Sequence, residues 1–309
     1  MPAVGPSSTI PEDARGAAIA LGNFDGVHAG HQAVIASARE QAVARGVALG
    51  AAVFEPHPRR FFNPGAAPFR LQTPHQRARA LNEQGVSEVF ELGFDEATAK
   101  SSDREFAERV LRDLLGVSHV SVGADFEFGR GRCGDAASLT ALGHDLGFSV
   151  AVVAPVGGGN KISSSAIREA IAQGDMKAAA AALTRPWAIE GKVLHGFERG
   201  RTLGFPTANL SLEDYVRPRL GVYAVRVDLG DRVLLPGVAS VGVNPTVGAL
   251  TEPLLETHLL DFSGDLYGQS IEVELIAFLR EEAKFDSLAA LKRQMTQDVI
   301  DARRALIEP

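Results

Sequence analysis

Ten residues, Gly22 to His31, read GNFDGVHAGH and pack three glycines, two histidines and one aspartate into a single turn. A short apolar run, Ala17 to Leu21, precedes it, and Val34, Ile35, Ala38, Ala42 and Val43 follow at helical spacing. The histidines therefore fall between a strand and the first turn of a helix. Backbone N–H groups at a helix start lack intrahelical partners, and the helix dipole adds partial positive charge, so an anion can be held there. Gly22, Gly26 and Gly30 let the backbone approach a ligand, and His28 and His31 can donate to phosphoryl oxygens. Two other readings stand beside phosphate binding: metal ligation by the histidine pair, which lacks a nearby third ligand, and two capping or packing histidines.

Three further stretches carry chemistry-bearing residues. KISSSAIR, Lys161 to Arg168, offers the hydroxyls of Ser163, Ser164 and Ser165 at a helix start with a cation at each end, which suits an anion or an ordinary N-cap. In RTLGFPTANL, Thr207 and Asn209 stand two apart, so an extended chain aims both to one face. A hydroxyl and an amide oxygen there suit Mg²⁺, and equally suit a polar barrel edge. Glu256 in LLETHLLDF alternates with apolar neighbours, as a solvent-facing strand residue does. GRGRCG, Gly129 to Gly134, fits G-x-G-x-x-G, but the preceding strand ends near Val122 and no acidic residue follows at the required distance, so it is rejected as a dinucleotide turn.

These residues need a frame. Val47 to Phe54 is nearly continuously apolar, as in a strand buried on both faces of a parallel sheet. Val86 to Leu92, a helix from about Asp103 to Leu115, His119 to Val122, a helix from about Asp135 to Leu146, and Phe148 to Val153 follow in turn. That alternation predicts a doubly wound α/β sheet with its ligand site outside the carboxyl ends of the strands, where GNFDGVHAGH falls. Ser163 to Ala182 reads as two short helices split at Gly174-Asp175. From Trp187 to Arg280 short β-like runs separated by turn residues predict a small antiparallel barrel or sandwich. Ser287 to Ile307 is expected to pack across it as a helix through Leu288, Leu291, Met295, Val299 and Ile300. The texture changes near Thr184 to Pro186, which predicts domains at 1–184 and 185–309.

The 309 residues suffice for two cores, and the net charge of −7 lacks the basic footprint of a nucleic-acid binder. One cysteine, Cys133, excludes an internal disulfide framework. No apolar run approaches the roughly 18 residues of a membrane span, and the N-terminal stretch lacks a signal-peptide layout. The expectation is a cytoplasmic protein with small-molecule partners, no nucleic acid and no membrane; the sequence sets no oligomeric state.

GNFDGVHAGH together with KISSSAIR resembles the HxGH nucleotidyltransferases, in which the first motif holds ATP phosphates and the second closes over them. The order FEPHP (Phe54 to Pro58), VGADFEFG (Val122 to Gly129), ISSSAIR, RTLGFPTANL, GVYAV (Gly221 to Val225) and LETHLLDFSGDLYG (Leu255 to Gly268) is similar to the bacterial bifunctional riboflavin kinase/FAD synthetases. Ser165 and Ser240 depart conservatively from its pattern, in which threonine and asparagine are usual. The resemblance implies an N-terminal doubly wound nucleotidyltransferase domain and a C-terminal riboflavin kinase barrel with a packed C-terminal helix. Its substrates and products would be riboflavin, FMN, FAD and ATP, with Mg²⁺ on Thr207 and Asn209.

It further implies that Glu256 is the kinase base, because phosphorylation begins from a neutral 5′-hydroxyl. Adenylylation of FMN begins from an anion and needs charge stabilisers instead: His28, His31, Ser163, Ser164, Ser165 and Arg168. Gly22, Asn23, Phe24, Asp25 and Gly30 would shape the nucleotide end of that site, and Arg201 and Gly204 would meet ATP in the barrel. Flavin contacts are expected from Phe62, Asp125 and Phe128 in the first domain and from Arg280 and Phe285 in the second. Rival readings are a chain with one active domain and a flavin carrier without chemistry.

Overall fold

The structure, a computed structural model, describes residues 3–4, 10, 14–157, 162–195, 204–230, 233–243 and 253–307. The chain forms two compact units, Met1–Ala67 with Pro74–Ser163, and Pro68–Thr73 with Ser164–Pro309.

The first unit is built on strands β1 (Ala3–Val4), β2 (Ala18–Leu21), β3 (Leu49–Glu55), β4 (Glu88–Gly93), β5 (His119–Gly123) and, after a short β6/β7 hairpin (Glu127–Phe128, Gly134–Asp135), β8 (Ser149–Val153). Its main sheet has the order β1-β4-β3-β2-β5-β8, with every neighbouring pair parallel. All four residues of β2 are buried, as are the first six of β3, which is why both read as unbroken apolar runs. From β2 the chain winds one way through β3 and β4 and then crosses back to β5 and β8. The winding thus reverses at β2, and ligands of open α/β sheets bind at the carboxyl end of such a point.

The helices of this unit are α1 (Ala29–Arg45), α2 (Pro58–Phe62), α3 (Pro74–Glu83), α4 (Glu96–Lys100), α5 (Asp103–Phe106) and α6 (Ala136–Leu146). Helix α1 buries Val34, Ile35, Ala38 and Ala42 and ends at Gly46 in the left-handed conformation. Val43, expected on the same face, is 78% exposed, because the buried stripe is narrower than the apolar pattern. Helix α5 opens with a Ser102/Glu105 capping box and continues as a π-helical stretch, Ala107–Leu114. The rejected GRGRCG stretch forms the connection of the β6/β7 hairpin.

At the opposite end of the sheet from the carboxyl termini, buried His119 begins β5. Its Nδ1 lies 2.7 Å from Ser149 Oγ and its Nε2 3.0 Å from Ser121 Oγ. Burial, helped by the Arg45 charge, pushes the imidazole pKa down to about 4.

The second unit carries helices α7 (Ser164–Gln173) and α8 (Met176–Leu183), then strands β9 (Trp187–Lys192), β10 (Ala208–Ser211), β11 (Gly221–Asp228), β12 (Leu234–Val243), β13 (Pro253–Leu259) and β14 (Ser270–Arg280), and finally α9 (Leu288–Ile307). The strands pair antiparallel in the order β10-β13-β12-β11-β14-β9, and a bridge between Leu194 and Asn209 brings the two ends together into a nearly closed barrel. Alternate residues fill its interior: Trp187 and Ile189, Tyr223, Val225 and Val227, Val273 and Leu275. Ile167, Ile171, Met176, Ala179 and Leu183 of α7 and α8 join the same core.

Pro68–Thr73 is woven into this unit as a strap. Arg70 bridges to Tyr215, Leu71 enters the core, and the Trp187 indole N–H donates to Leu71 O at 2.7 Å. Helix α9 packs by part of its expected face: Leu291, Met295 and Val299 are half-buried. Leu288 and Ile300 are 70% and 48% exposed, whereas Asp298 and Ala302 are buried. The cause is an ion pair: Arg280 Nε and Nη2 donate to the two carboxylate oxygens of Asp298, each at 2.7 Å. A bidentate pair fixes which side of the helix faces inward.

Candidate active sites

The first centre is the turn from β2 into α1. Gly22 N–H donates to Ala52 O at 3.1 Å, carrying the sheet pattern just past the strand. The backbone then turns through left-handed angles at Phe24 (φ 50), Gly26 (φ 97) and Val27 (φ 41). For a β-branched valine that region costs on the order of 1–3 kcal/mol and needs support from its surroundings. The support is burial, since Phe24 and Val27 are 1% and 0% exposed.

His28 caps the helix: its Nδ1 accepts from His31 N–H at 3.3 Å. An accepting Nδ1 carries no proton, so the neutral ring keeps its proton on Nε2 as a donor. The two imidazoles stack with centroids 3.6 Å apart, and Phe24 meets His31 edge-on at 5.2 Å. Gly30 permits that stack, because a Cβ there would stand 3.1 Å from His28 Cε1. The first turn of α1 itself holds no acidic residue to oppose an anion at its N-terminus. Asn23 Oδ1 is buried without a hydrogen-bond partner among the described residues, and a buried carbonyl in that position calls for a donor. Asp25 is also buried.

Other expected residues of this centre are placed as follows. Ser163 ends the chain of the first unit and Ser164 opens α7 in the second. Ser165 is exposed, while the Arg168 guanidinium donates from Nε to Phe69 O at 2.7 Å and lies 5.5 Å from the Phe69 ring centroid. Phe62, at the end of α2, is 67% exposed and meets Phe61 and Phe94 edge-on at 5.3 and 5.6 Å. Asp125 is exposed just after β5. Phe128 belongs to the core, stacked on Phe126 at 5.6 Å.

The second centre lies on the outer face of the barrel. Along β13, Leu255, Thr257 and Leu259 are buried, so Glu256 and His258 point to the other side. Register brings partners to Glu256 from both neighbours: Asn209 of β10 stands directly opposite on one side and Ser240 of β12 on the other. Residues so paired have Cβ atoms about 4.5–5.5 Å apart. Asn209 is 6% exposed, Thr207 precedes β10 by one residue, and exposed Gly204 adopts φ 86. Lys161 and Arg201 lie outside the described residues. Arg280 is engaged by Asp298, and Phe285 sits 6.0 Å from its guanidinium carbon.

Sequence reasoning did not single out Ser240 as a neighbour of Glu256, nor His258. The i, i+2 relation to Glu256 was the available signal for His258; for Ser240 there was none, because register is not a local property.

A parallel α/β unit with a glycine-rich turn at its switch point, followed by a barrel that pairs Glu256 with Asn209, has the layout of a two-part transferase acting on phosphate groups. The family model described as FAD synthetase matches residues 10–166, and that described as riboflavin kinase matches residues 183–306. The bifunctional riboflavin kinase/FMN adenylyltransferase of Pseudomonas fluorescens is 46% identical over 296 residues, covering 96% of this chain and 94% of its own. The Bacillus subtilis protein of the same name is 34% identical over 306 residues, covering 97% and 95%. A Streptococcus pneumoniae chain whose crystal structure is described as that of a macrolide-efflux protein superposes with a TM-score of 0.86 at 31% identity, covering 97% of this chain and 98% of its own. Among the described residues no helix is long and apolar enough to cross a membrane. The chain belongs to the bifunctional riboflavin kinase/FMN adenylyltransferase family.

Proposed function

We infer that the chain makes FMN from riboflavin in its barrel and FAD from that FMN in its α/β unit, with ATP as the co-substrate of both steps. Residues 1–184 are assigned to adenylyl transfer and 185–309 to phosphorylation, and the work is placed in the cytoplasm. The observation that carries the reading is the direct opposition of Asn209 and Glu256 across β10 and β13.

In the barrel, Glu256 accepts the proton of the riboflavin 5′-hydroxyl while its oxygen attacks the γ-phosphorus of ATP, and the bond to ADP breaks. The donor set beside it fits a hard cation, since the buried Asn209 amide and the Thr207 hydroxyl both offer oxygen, the donor type Mg²⁺ takes. Mg²⁺ held there would neutralise charge on the ATP phosphates. Gly204, with its left-handed backbone, is assigned to the approach of the nucleotide, and Arg201 to the same ATP site.

In the α/β unit the FMN phosphate is already an anion, so no base is required. Its oxygen attacks the α-phosphorus of ATP and pyrophosphate leaves. The backbone at the start of α1, His28 Nε2–H and His31 stabilise the charge, assisted by Ser163, Ser164, Ser165 and Arg168. Gly22, Asn23, Phe24, Asp25 and Gly30 shape the nucleotide pocket, and the unpaired Asn23 carbonyl supports that role by asking for a donor such as an amino or hydroxyl group. The exposed aromatic face of Phe62 supports a flavin contact, with Asp125 nearby in the sequence order of the motifs. Phe128 supports it only by backing Phe126, and Arg280 and Phe285 by closing the end of β14.

The test is direct: the chain is incubated with riboflavin, ATP and Mg²⁺ and the flavins are separated over time. FMN rises first and FAD follows. Appearance of neither product would overturn the reading, and FMN without FAD would restrict it to the barrel.

A further inference from the structure

We propose that His258 is a positioning residue for riboflavin phosphorylation, using its Nδ1–H to hold the peptide that aims Thr207. The proposal rests on the assignment of Thr207, Asn209 and Glu256 made above.

The geometry joins two elements that the reaction needs in fixed relation. His258 stands two residues after Glu256 on β13 and shares its outward face. Its Nδ1 lies 2.8 Å from Pro206 O. A carbonyl oxygen only accepts, so Nδ1 carries the proton that makes this bond. The ring also meets Phe205 edge-on, with centroids 5.3 Å apart. Both contacts fall on the two residues immediately before Thr207.

The carbonyl of Pro206 is half of the planar peptide that ends at Thr207 N. The proline ring already fixes φ at residue 206, so the remaining freedom is ψ, the rotation that swings this carbonyl. A hydrogen bond from β13 stops that rotation. The Cα of Thr207 is then set, and with it the direction of a side chain that lies outside strand β10 and has no ladder of its own. Asn209 needs no such help, since it sits inside β10, in register with Glu256. One imidazole therefore ties the loop half of the donor pair to the strand that carries the base. A displacement of about 1 Å in such a group can cost roughly a hundredfold in rate.

The decisive comparison uses near-isosteric replacements in the full chain. Asn carries an N–H close to the position of Nδ1, whereas Gln carries one close to the position of Nε2. His258→Asn is expected to keep riboflavin phosphorylation within about threefold of wild type, and His258→Gln to raise the apparent KM for Mg·ATP by about tenfold or more. His258→Phe, which keeps the ring on Phe205 but has no donor, should behave like Gln. FAD formation from added FMN should stay within about twofold in all three, which also reports that the chain is folded. Equal kinetics for Asn and Gln, or wild-type kinetics for Phe, would overturn the proposal. Glu256→Gln in the same assay separates the two levels. If it abolishes FMN formation while all His258 variants match wild type, the positioning role alone fails; if it leaves FMN formation intact, the assignment beneath fails.

Discussion

The two centres are made in opposite ways. In the α/β unit the groups come from one continuous stretch of ten residues, and their geometry is stored in a turn: left-handed Phe24 and Val27, a glycine at 30, and a histidine that caps its own helix. In the barrel the groups come from strands far apart in sequence, and their geometry is stored in register: Asn209, Glu256 and Ser240 are adjacent because β10, β13 and β12 pair as they do. A site held by a turn is vulnerable to changes in backbone freedom within that turn. The part of a site held by register is insulated from such changes, which in the barrel leaves Thr207, just outside β10, as the one member exposed to them.

The largest expected effect is a crossed loss. His28→Ala combined with His31→Ala should abolish FAD formation from FMN and spare FMN formation from riboflavin. Glu256→Gln should do the reverse, with at least roughly a hundredfold loss of riboflavin phosphorylation. Separate assays on the two substrates read this out, and equal loss of both activities in either variant would break the comparison.

Smaller, and specific to the turn, is Gly30→Ala. Its Cβ would press on His28 Cε1 at 3.1 Å and unseat the imidazole stack, so FAD formation should fall about tenfold with Tm nearly unchanged. A wild-type rate would mean that the stack is incidental.

The smallest effect separates the units by pH. His119 has its folded pKa lowered to about 4 from 6.5, so the unfolded chain binds the proton first and stability falls as pH drops below 6.5 towards 4. At pH 5.5 the loss is about 1 kcal/mol relative to neutral pH. Denaturant midpoints measured at pH 7.5 and 5.5 should differ less in His119→Gln than in wild type. An unchanged difference would remove His119 as the cause.

Much of this was legible in the sequence for a physical reason. Parallel strands buried on both faces must be apolar throughout, so β2 and β3 declare themselves, and a glycine-rich turn between strand and helix has few alternatives. Helix α3 escaped because its buried side includes Gln76 and Arg77, the latter paired with Glu55 and Glu91 at 3.1 and 3.3 Å. Periodicity counts apolar residues and misses a charge buried with its partners. The same blindness passed over Asp298 of α9, which points inward among the half-buried Leu291, Met295 and Val299. Strand β10 was too short and too polar to show alternation, and the pairing of Asn209 with Glu256 depends on contacts that no local pattern records.

The strap has a consequence in time as well as in space. Leu71 leaves the ribosome 116 residues ahead of Trp187, whose indole will grip its carbonyl. At about 5–20 residues per second, that interval is roughly ten seconds. During synthesis, then, six residues in the midst of the first unit's chain stay open until a barrel made later closes on them. A cut made between the two catalytic halves would leave that barrel lacking a piece of itself.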